Sequence, residues 1–335
     1  MVRTIAVIGG GVSGLACARR LKELGLEPTV FDTGKRTVGG RASSRLWRGM
    51  AVDHAAQLIT TTSLEFAAHM NELVTLGAVR LVPNSELRTI IEPGRATPLN
   101  DGVARYSGVG GIQSFVRAAS AGLDIRQDVW VSPNGGIHAT ADSAWLIRES
   151  RTVESRFDCV VVAHNGKCAE RLTSAIPAIE VHSLLRAKFS AQLGQGSAVG
   201  GGNGKMTLNS IYSLLLEVEA GVMPEALGTA AYVQCEPALQ FLSNNTAKLG
   251  KPGGAGVGSA GVGGADARDG ARGGAKGVKS ATGVEVWTVI SSASFGSEHK
   301  APQEHIEGSE VSMCRAEHVS RDQRRAFRGE ELVGS

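Results

Sequence analysis

The chain has 335 residues, 42% of them hydrophobic, 20% charged and only 4% aromatic, with a formal net charge of +3. That length and apolar content support a sizeable core and about two domains. Lysine and arginine are dispersed among acids with few aromatics to interleave, and no apolar run approaches the roughly 20 residues that span a bilayer, so neither nucleic acid nor membrane is an expected partner.

The first element follows Met1 almost at once. Ile5, Ala6, Val7 and Ile8 form the continuous apolar run of a parallel strand covered on both faces, and the run enters a glycine turn directly. Gly9, Gly11 and Gly14 have the G-x-G-x-x-G spacing of a dinucleotide-binding turn: Gly9 for the tight bend, Gly11 for close approach of a pyrophosphate, Gly14 for close packing of the next helix. The helix predicted over Ser13–Leu24 carries Leu15, Ala16, Ala18, Leu21 and Leu24 at helical spacing, and Gly25 ends it. Val12 and Ser13 lie at its first turn, where the diphosphate would rest on the amides. A second strand, Pro28–Phe31, ends at Asp32, roughly 20 residues beyond the glycines, where a carboxylate accepts the hydroxyls of an adenosine ribose.

The next segment, Lys35–Arg41, holds the doublet Gly39-Gly40 followed by Arg41. Two residues without Cβ let the chain pass against a cofactor, and Arg41 offers a planar fork of donors to a phosphate or an anionic ring; a surface loop arginine is the alternative reading. With Val52–Gln57 behind it, this doublet resembles the flavin-dependent amine oxidase superfamily, and specifically its renalase-like branch. The resemblance implies FAD as cofactor, together with a small-molecule substrate. It implies contacts from Gly9, Gly11, Val12, Ser13, Gly14, Asp32, Gly39, Gly40, Arg41 and Gln57. His54 lies in the same stretch, as a group that titrates near neutrality or as a structural histidine. Ala55 stands where the family has glycine.

Further on, Ser63–Leu76 reads as a helix, with Leu64, Ala67, Ala68, Leu73 and Leu76 on or near one face. Val109–Val116 is similar to the family's loop-to-helix entry. Leu123–Val131 is similar to the strand whose backbone meets the adenine, with Val131 at the contact. Phe157–Cys168 is similar to the strand and turn that return the chain to the cofactor, which implies contact at Ala163; His164 and Asn165 follow as turn residues. Ser210–Val218 and Thr229–Gln234 have the β-branched and aromatic content of strands. Leu242–Leu249 and Val286–Phe295 resemble the family's substrate domain.

The expected fold is α/β: a Rossmann-like FAD-binding domain of residues 1–60 and 108–175, interleaved with a mixed-sheet (α+β) substrate domain of residues 61–107 and 176–306. Glycine-rich stretches at 194–204 and 250–283 read as flexible insertions, and the charged residues 307–335 as a disordered tail. The family closes its flavin site with a C-terminal strand and glycine-containing helix start that this sequence lacks, so a truncated form of a longer oxidoreductase is expected. The strand beginning near Met1 leaves no room for a targeting peptide, which makes the cytoplasm the default address.

Five dispersed cysteines without C-x-x-C spacing predict free thiols, and eight scattered histidines predict no metal site. The implied chemistry is hydride transfer from an amine or a reduced nicotinamide to flavin, with reoxidation by oxygen. Arg41 is the candidate for stabilising developing negative charge and His54 a second catalytic candidate; no general base stands out. A catalytically inactive dinucleotide-binding protein and an NAD(P)-dependent dehydrogenase remain as alternatives. The second of these accounts for residues 5–32 but not for Gly39-Gly40-Arg41.

Overall fold

The computed structural model describes residues 3–189, 209–249 and 283–299. The glycine-rich stretches 194–204 and 250–283, apart from Gly283, and the tail 307–335 lie outside the described residues. The first third of the chain runs β1 (Thr4–Ile8), α1 (Val12–Glu23), β2 (Glu27–Phe31), the hairpin β3 (Ser44–Trp47) and β4 (Met50–Asp53), β5 (Ile59–Thr60), α2 (Leu64–Thr75), β6 (Val79–Val82), β7 (Leu87–Glu92), β8 (Arg95–Pro98) and β9 (Arg105–Gly108). Then come α3 (Gln113–Ser120), β10 (Asp124–Arg126), the meander β11 (Ile137–Ala139), β12 (Trp145–Arg148) and β13 (Glu154–Phe157), followed by β14 (Cys159–Val162), α4 (Gly166–Thr173) and α5 (Ile179–Phe189). The last part holds β15 (Ser213–Glu219), β16 (Ala230–Val233), β17 (Leu239–Asn244), α6 (Asn245–Leu249), β18 (Val284–Ser291) and α7 (Ala293–Glu298).

The fold is mixed α/β. A four-stranded parallel sheet of order β10-β2-β1-β14 stands apart from a six-stranded mixed sheet of order β15-β18-β17-β16-β7-β8. In the latter only β16 and β7 run parallel. The continuous apolar run of β1 has a direct cause. Ile5 and Val7 point to one face, where they meet Leu15 and Ala18 of α1 and Phe115 and Val116 of α3. Ala6 and Ile8 point to the other, where they meet Phe31, Ile147, Phe157 and Leu172. A strand covered on both faces has no position for a polar side chain. Arg19 fastens α1 to α3 by donating to Ala118 O (3.0 Å) and Ala119 O (2.9 Å), a cation on carbonyls that the end of a helix leaves unpaired.

Several sequence expectations shift in position. Ala16 and Leu24 of the first helix are exposed, and the buried stripe is Leu15 and Ala18. In α2 Leu64 and Leu76 also face solvent, while Met70 and Leu73 enter the core; Ser63 caps this helix by accepting from Phe66 N. The strand expected over Leu123–Val131 stops at Arg126, which pairs with Phe31 at the end of β2 and accepts from Asp32 N at 2.9 Å. Asp128 then turns at φ +56°, and Val129 N donates to Asp32 O. Among the described residues no helix is long and apolar enough to cross a membrane.

Helix α1 lies so close to the glycine turn that a Cβ on Gly14 would stand 1.9 Å from Gly9 O. Gly14→Ala is therefore expected to destabilise the fold by at least about 1–3 kcal/mol, the range for overpacking a filled site, read as a lowered urea midpoint.

Candidate functional site

At the carboxyl ends of the parallel strands lies a crevice of about 410 Å³, bounded by Gly9, Gly11, Asp32, Gly40, Val131 and Ala163 together with Trp130, His164, Cys168 and Arg171. Ligands of open α/β sheets bind in this position. Gly9 turns the chain at φ +116°. Nothing lies within 4 Å of where a Cβ of Gly11 would stand, so that flank is open to a ligand. Gly11 also begins α1, which has no side-chain cap and no acidic residue in its first turn. The exposed Val12 and Ser13 belong to that turn, whose free amides and positive dipole end favour an anion.

Asp32 braces the turn from below: Oδ2 accepts from Gly10 N and Oδ1 from Gly34 N, both at 2.8 Å. Each oxygen retains a second acceptor direction. Gly39, at φ +116°, donates its N–H to Gly10 O at 2.7 Å and pairs with Gly11. The glycine doublet is thereby laid against the glycine turn, and Gly40 faces Gly11 with only backbone between them. The open flank at Gly11, the uncapped helix start and the acid at the end of β2 are a donor and acceptor set that fits an adenine dinucleotide. Arg41 is exposed beside this junction, and its carbonyl receives Ala56 N at 3.0 Å.

Behind the junction is a buried polar network. Asp53 and Lys248 are both fully buried, with Nζ 2.7 Å from Asp53 Oδ2. Asp53 Oδ1 accepts from Ser44 Oγ at 2.6 Å and from Ile112 N at 2.8 Å, which seats a carboxylate on the start of α3. Its own N–H donates to Asn245 Oδ1 at 3.1 Å, and its carbonyl accepts from Thr288 Oγ1 at 2.7 Å. Burial pushes the Lys248 ammonium below its ordinary value, against the opposing pull of Asp53.

Gln57 is consumed within this network: Nε2 donates to Asp53 O at 2.7 Å and Oε1 accepts from Lys248 Nζ at 2.9 Å. The sequence-based expectation places Gln57 beside the cofactor; in the structure its side chain holds the 53–57 loop to Asp53 and Lys248. His54 is partly buried, its carbonyl accepts from Ser213 Oγ, and its Nδ1 is buried without a partner. Burial and the Arg45 charge hold its imidazole below the ordinary histidine value, opposed by Asp53. Lys248, Asn245 and Thr288 carried no signal as site residues, because only the tertiary fold brings them to Asp53.

Residues 7–73 match the family described as an NAD(P)-binding Rossmann-like domain. Protoporphyrinogen oxidase 2, chloroplastic/mitochondrial, of Arabidopsis thaliana is 39% identical over 71 residues, 21% of this chain and 14% of that protein. A lysine-specific histone demethylase 1B homolog of Caenorhabditis elegans is 42% identical over 55 residues, 16% of this chain and 7% of the other. The chain thus matches only a small fraction of either relative's length. Among solved structures, a redesigned putrescine oxidase superposes with a TM-score of 0.55 at 12% identity, covering 99% of this chain and 83% of that one. An oxidoreductase from Methanosarcina mazei gives 0.54 at 11% identity, covering 92% and 82%. The fold is shared with both.

Two outcomes follow from the buried groups. Lys248→Ala strands a buried carboxylate and is expected to cost about 3–5 kcal/mol; adding Asp53→Asn recovers part of it, which a double-mutant cycle in urea measures. His54 and His164 both lie below their ordinary value in the folded chain. The unfolded chain therefore takes up more protons as pH falls through about 6.5, and folded-state stability declines as pH falls from about 8 through that value. Replacing both histidines with glutamine is expected to flatten that slope.

Proposed function

We propose that this protein is an FAD-dependent oxidoreductase of the amine oxidase kind, in its renalase-like branch, taking a hydride from an amine or a reduced nicotinamide-type substrate with oxygen as final acceptor. One observation carries the reading: the Gly39-Gly40 loop lies on the Gly9–Gly11 turn through Gly39 N and Gly10 O. A plain nicotinamide-binding unit has no use for a second glycine pair there, whereas a larger cofactor running past the phosphate turn does. The names of the relatives and structural neighbours support the same class.

When bound, the flavin supplies hydride acceptance at its ring nitrogen. The chain's own residues have separate tasks. The amides at Val12, Ser13 and Gly14 receive the diphosphate, and Asp32 accepts from ribose hydroxyls with its free acceptor directions. Val131 and Ala163 give apolar walls on either side of the adenine end. Arg41 supplies positive charge where negative charge develops during reduction, and does so at an exposed position free to reach over the doublet. His54 stands beside the same loop as the second catalytic candidate, its imidazole held toward the neutral form by burial and by Arg45. Gln57, held by Asp53 and Lys248, fixes the loop that presents His54. In this reading residues 1–60 and 108–175 hold the cofactor, and residues 61–107 and 176–306 form the substrate side.

Loading the purified full chain with FAD tests the assignment: retained flavin absorbance and reduction by an amine or reduced nicotinamide are expected. Gly11→Ala is expected to weaken FAD binding at least tenfold while stability stays within about 1 kcal/mol of the parent, since only an N-cap preference is lost. Retention of NAD(P) without FAD favours a dehydrogenase, and retention of neither favours an inactive dinucleotide-binding remnant.

A further inference from the structure

The turn after β14 places a histidine in the crevice for which the reading above has no task. His164 lines the same wall as Gly9 and Gly11. A Cβ built on Gly9 would stand 2.9 Å from His164 Cδ2, so the imidazole packs against the first glycine of the phosphate turn. No protein group among the described residues hydrogen-bonds the ring. Two charged side chains, Asp32 and Arg171, share its surroundings. The glycine turn presents backbone, the loop after β10 presents Val129, Trp130 and Val131, α4 presents Cys168 and Arg171, and the end of β2 presents Asp32.

Burial holds the imidazole toward its neutral form, and Asp32 pulls weakly the other way. A diphosphate on the start of α1 would add negative charge beside the ring and give its N–H groups acceptors that the protein does not provide. An anion within a few ångströms favours the charged imidazole. The other ionisable side chains that line this crevice are Asp32, Cys168 and Arg171, and His164 is the imidazole among them, the side-chain type whose charge changes near neutrality.

We propose that His164 is a cofactor-binding group that becomes charged as the diphosphate of a dinucleotide is seated on Gly9–Gly11, so that cofactor capture takes up a proton from solvent. The proposal rests on the dinucleotide reading of the crevice, and it adds a residue and a pH response which that reading does not require.

Calorimetric titration of FAD into the flavin-free full chain at pH 7, in two buffers of different ionisation enthalpy, counts the protons exchanged. The parent is expected to take up a substantial fraction of one proton per site, and its affinity to rise as pH falls from 8 to 6, by up to about tenfold per pH unit at full linkage. His164→Gln is expected to bind FAD more weakly, exchange no proton and show a flat pH profile. Titration with ADP-ribose, whose diphosphate is esterified at both ends as in FAD and has no ionisation of its own near neutrality, should reproduce the uptake. FAD binding by the parent without proton uptake overturns the proposal and leaves the functional reading intact, and this measurement needs no variant. Uptake that persists in His164→Gln overturns it as well. If neither FAD nor ADP-ribose binds, the functional reading falls and the proposal with it.

Discussion

The Asp53–Lys248 ion pair ties the β3–β4 hairpin to the helix that follows β17 of the mixed sheet. Asp53 ends the hairpin beside the glycine doublet and Lys248 ends the short helix behind the mixed sheet, and both charges are removed from water. Desolvating two ions is costly, and the pair is tolerable only because Ser44, Ile112 and Gln57 occupy the remaining donor and acceptor directions. The outcome is specificity of position. A displacement of either half by an ångström would leave a carboxylate or an ammonium unpaired in a dry interior, so the hairpin, the start of α3 and the helix behind the mixed sheet are held to one arrangement. The 53–57 loop inherits its shape from that lock, and His54 inherits its location.

The crevice in front of the lock works on the opposite plan. Its floor is backbone: a glycine turn, an uncapped helix start and a second glycine loop laid across the first. Side chains such as Trp130, Val131, His164 and Arg171 stand around that floor, and Asp32 spends part of its capacity holding the turn in shape. A surface of preoriented amides loses little entropy when an anion arrives, which is how a site rigid at its back can bind a large cofactor at its front.

Much of the front was legible in the chain and little of the back. The run Ile5–Ile8, the three glycines and Asp32 declare themselves because local geometry alone demands those residue types at that spacing. The doublet Gly39-Gly40 was visible for the same reason, although its docking on Gly10 was not. The neighbourhood of Gln57 marks it as a candidate cofactor contact, while the direction of its side chain is set by Lys248, 191 positions away. Nothing in Asn245 or Lys248 as letters distinguishes a buried anchor from a polar turn. The exposed Leu64 and Leu76 mark a similar limit, since helical spacing identifies a stripe, but the neighbours decide which stripe is covered.

Sheet order carries a consequence for how the molecule comes into being. The strand that completes the parallel layer beside β1 is β14, whose Cys159 pairs with Ile5 across 154 positions. A ribosome releasing this chain from its amino end therefore exposes β1 and β2 with one flank unsatisfied and the apolar residues of both faces only partly sheltered, until well over half of the described sequence has been made. Contacts so distant along the chain form late, and an open strand edge attracts other chains meanwhile. Nascent protein of this topology stands to gain from a chaperone during that interval, and a stop anywhere before residue 159 would leave β1 as an open edge, in a sheet of at most β10, β2 and β1.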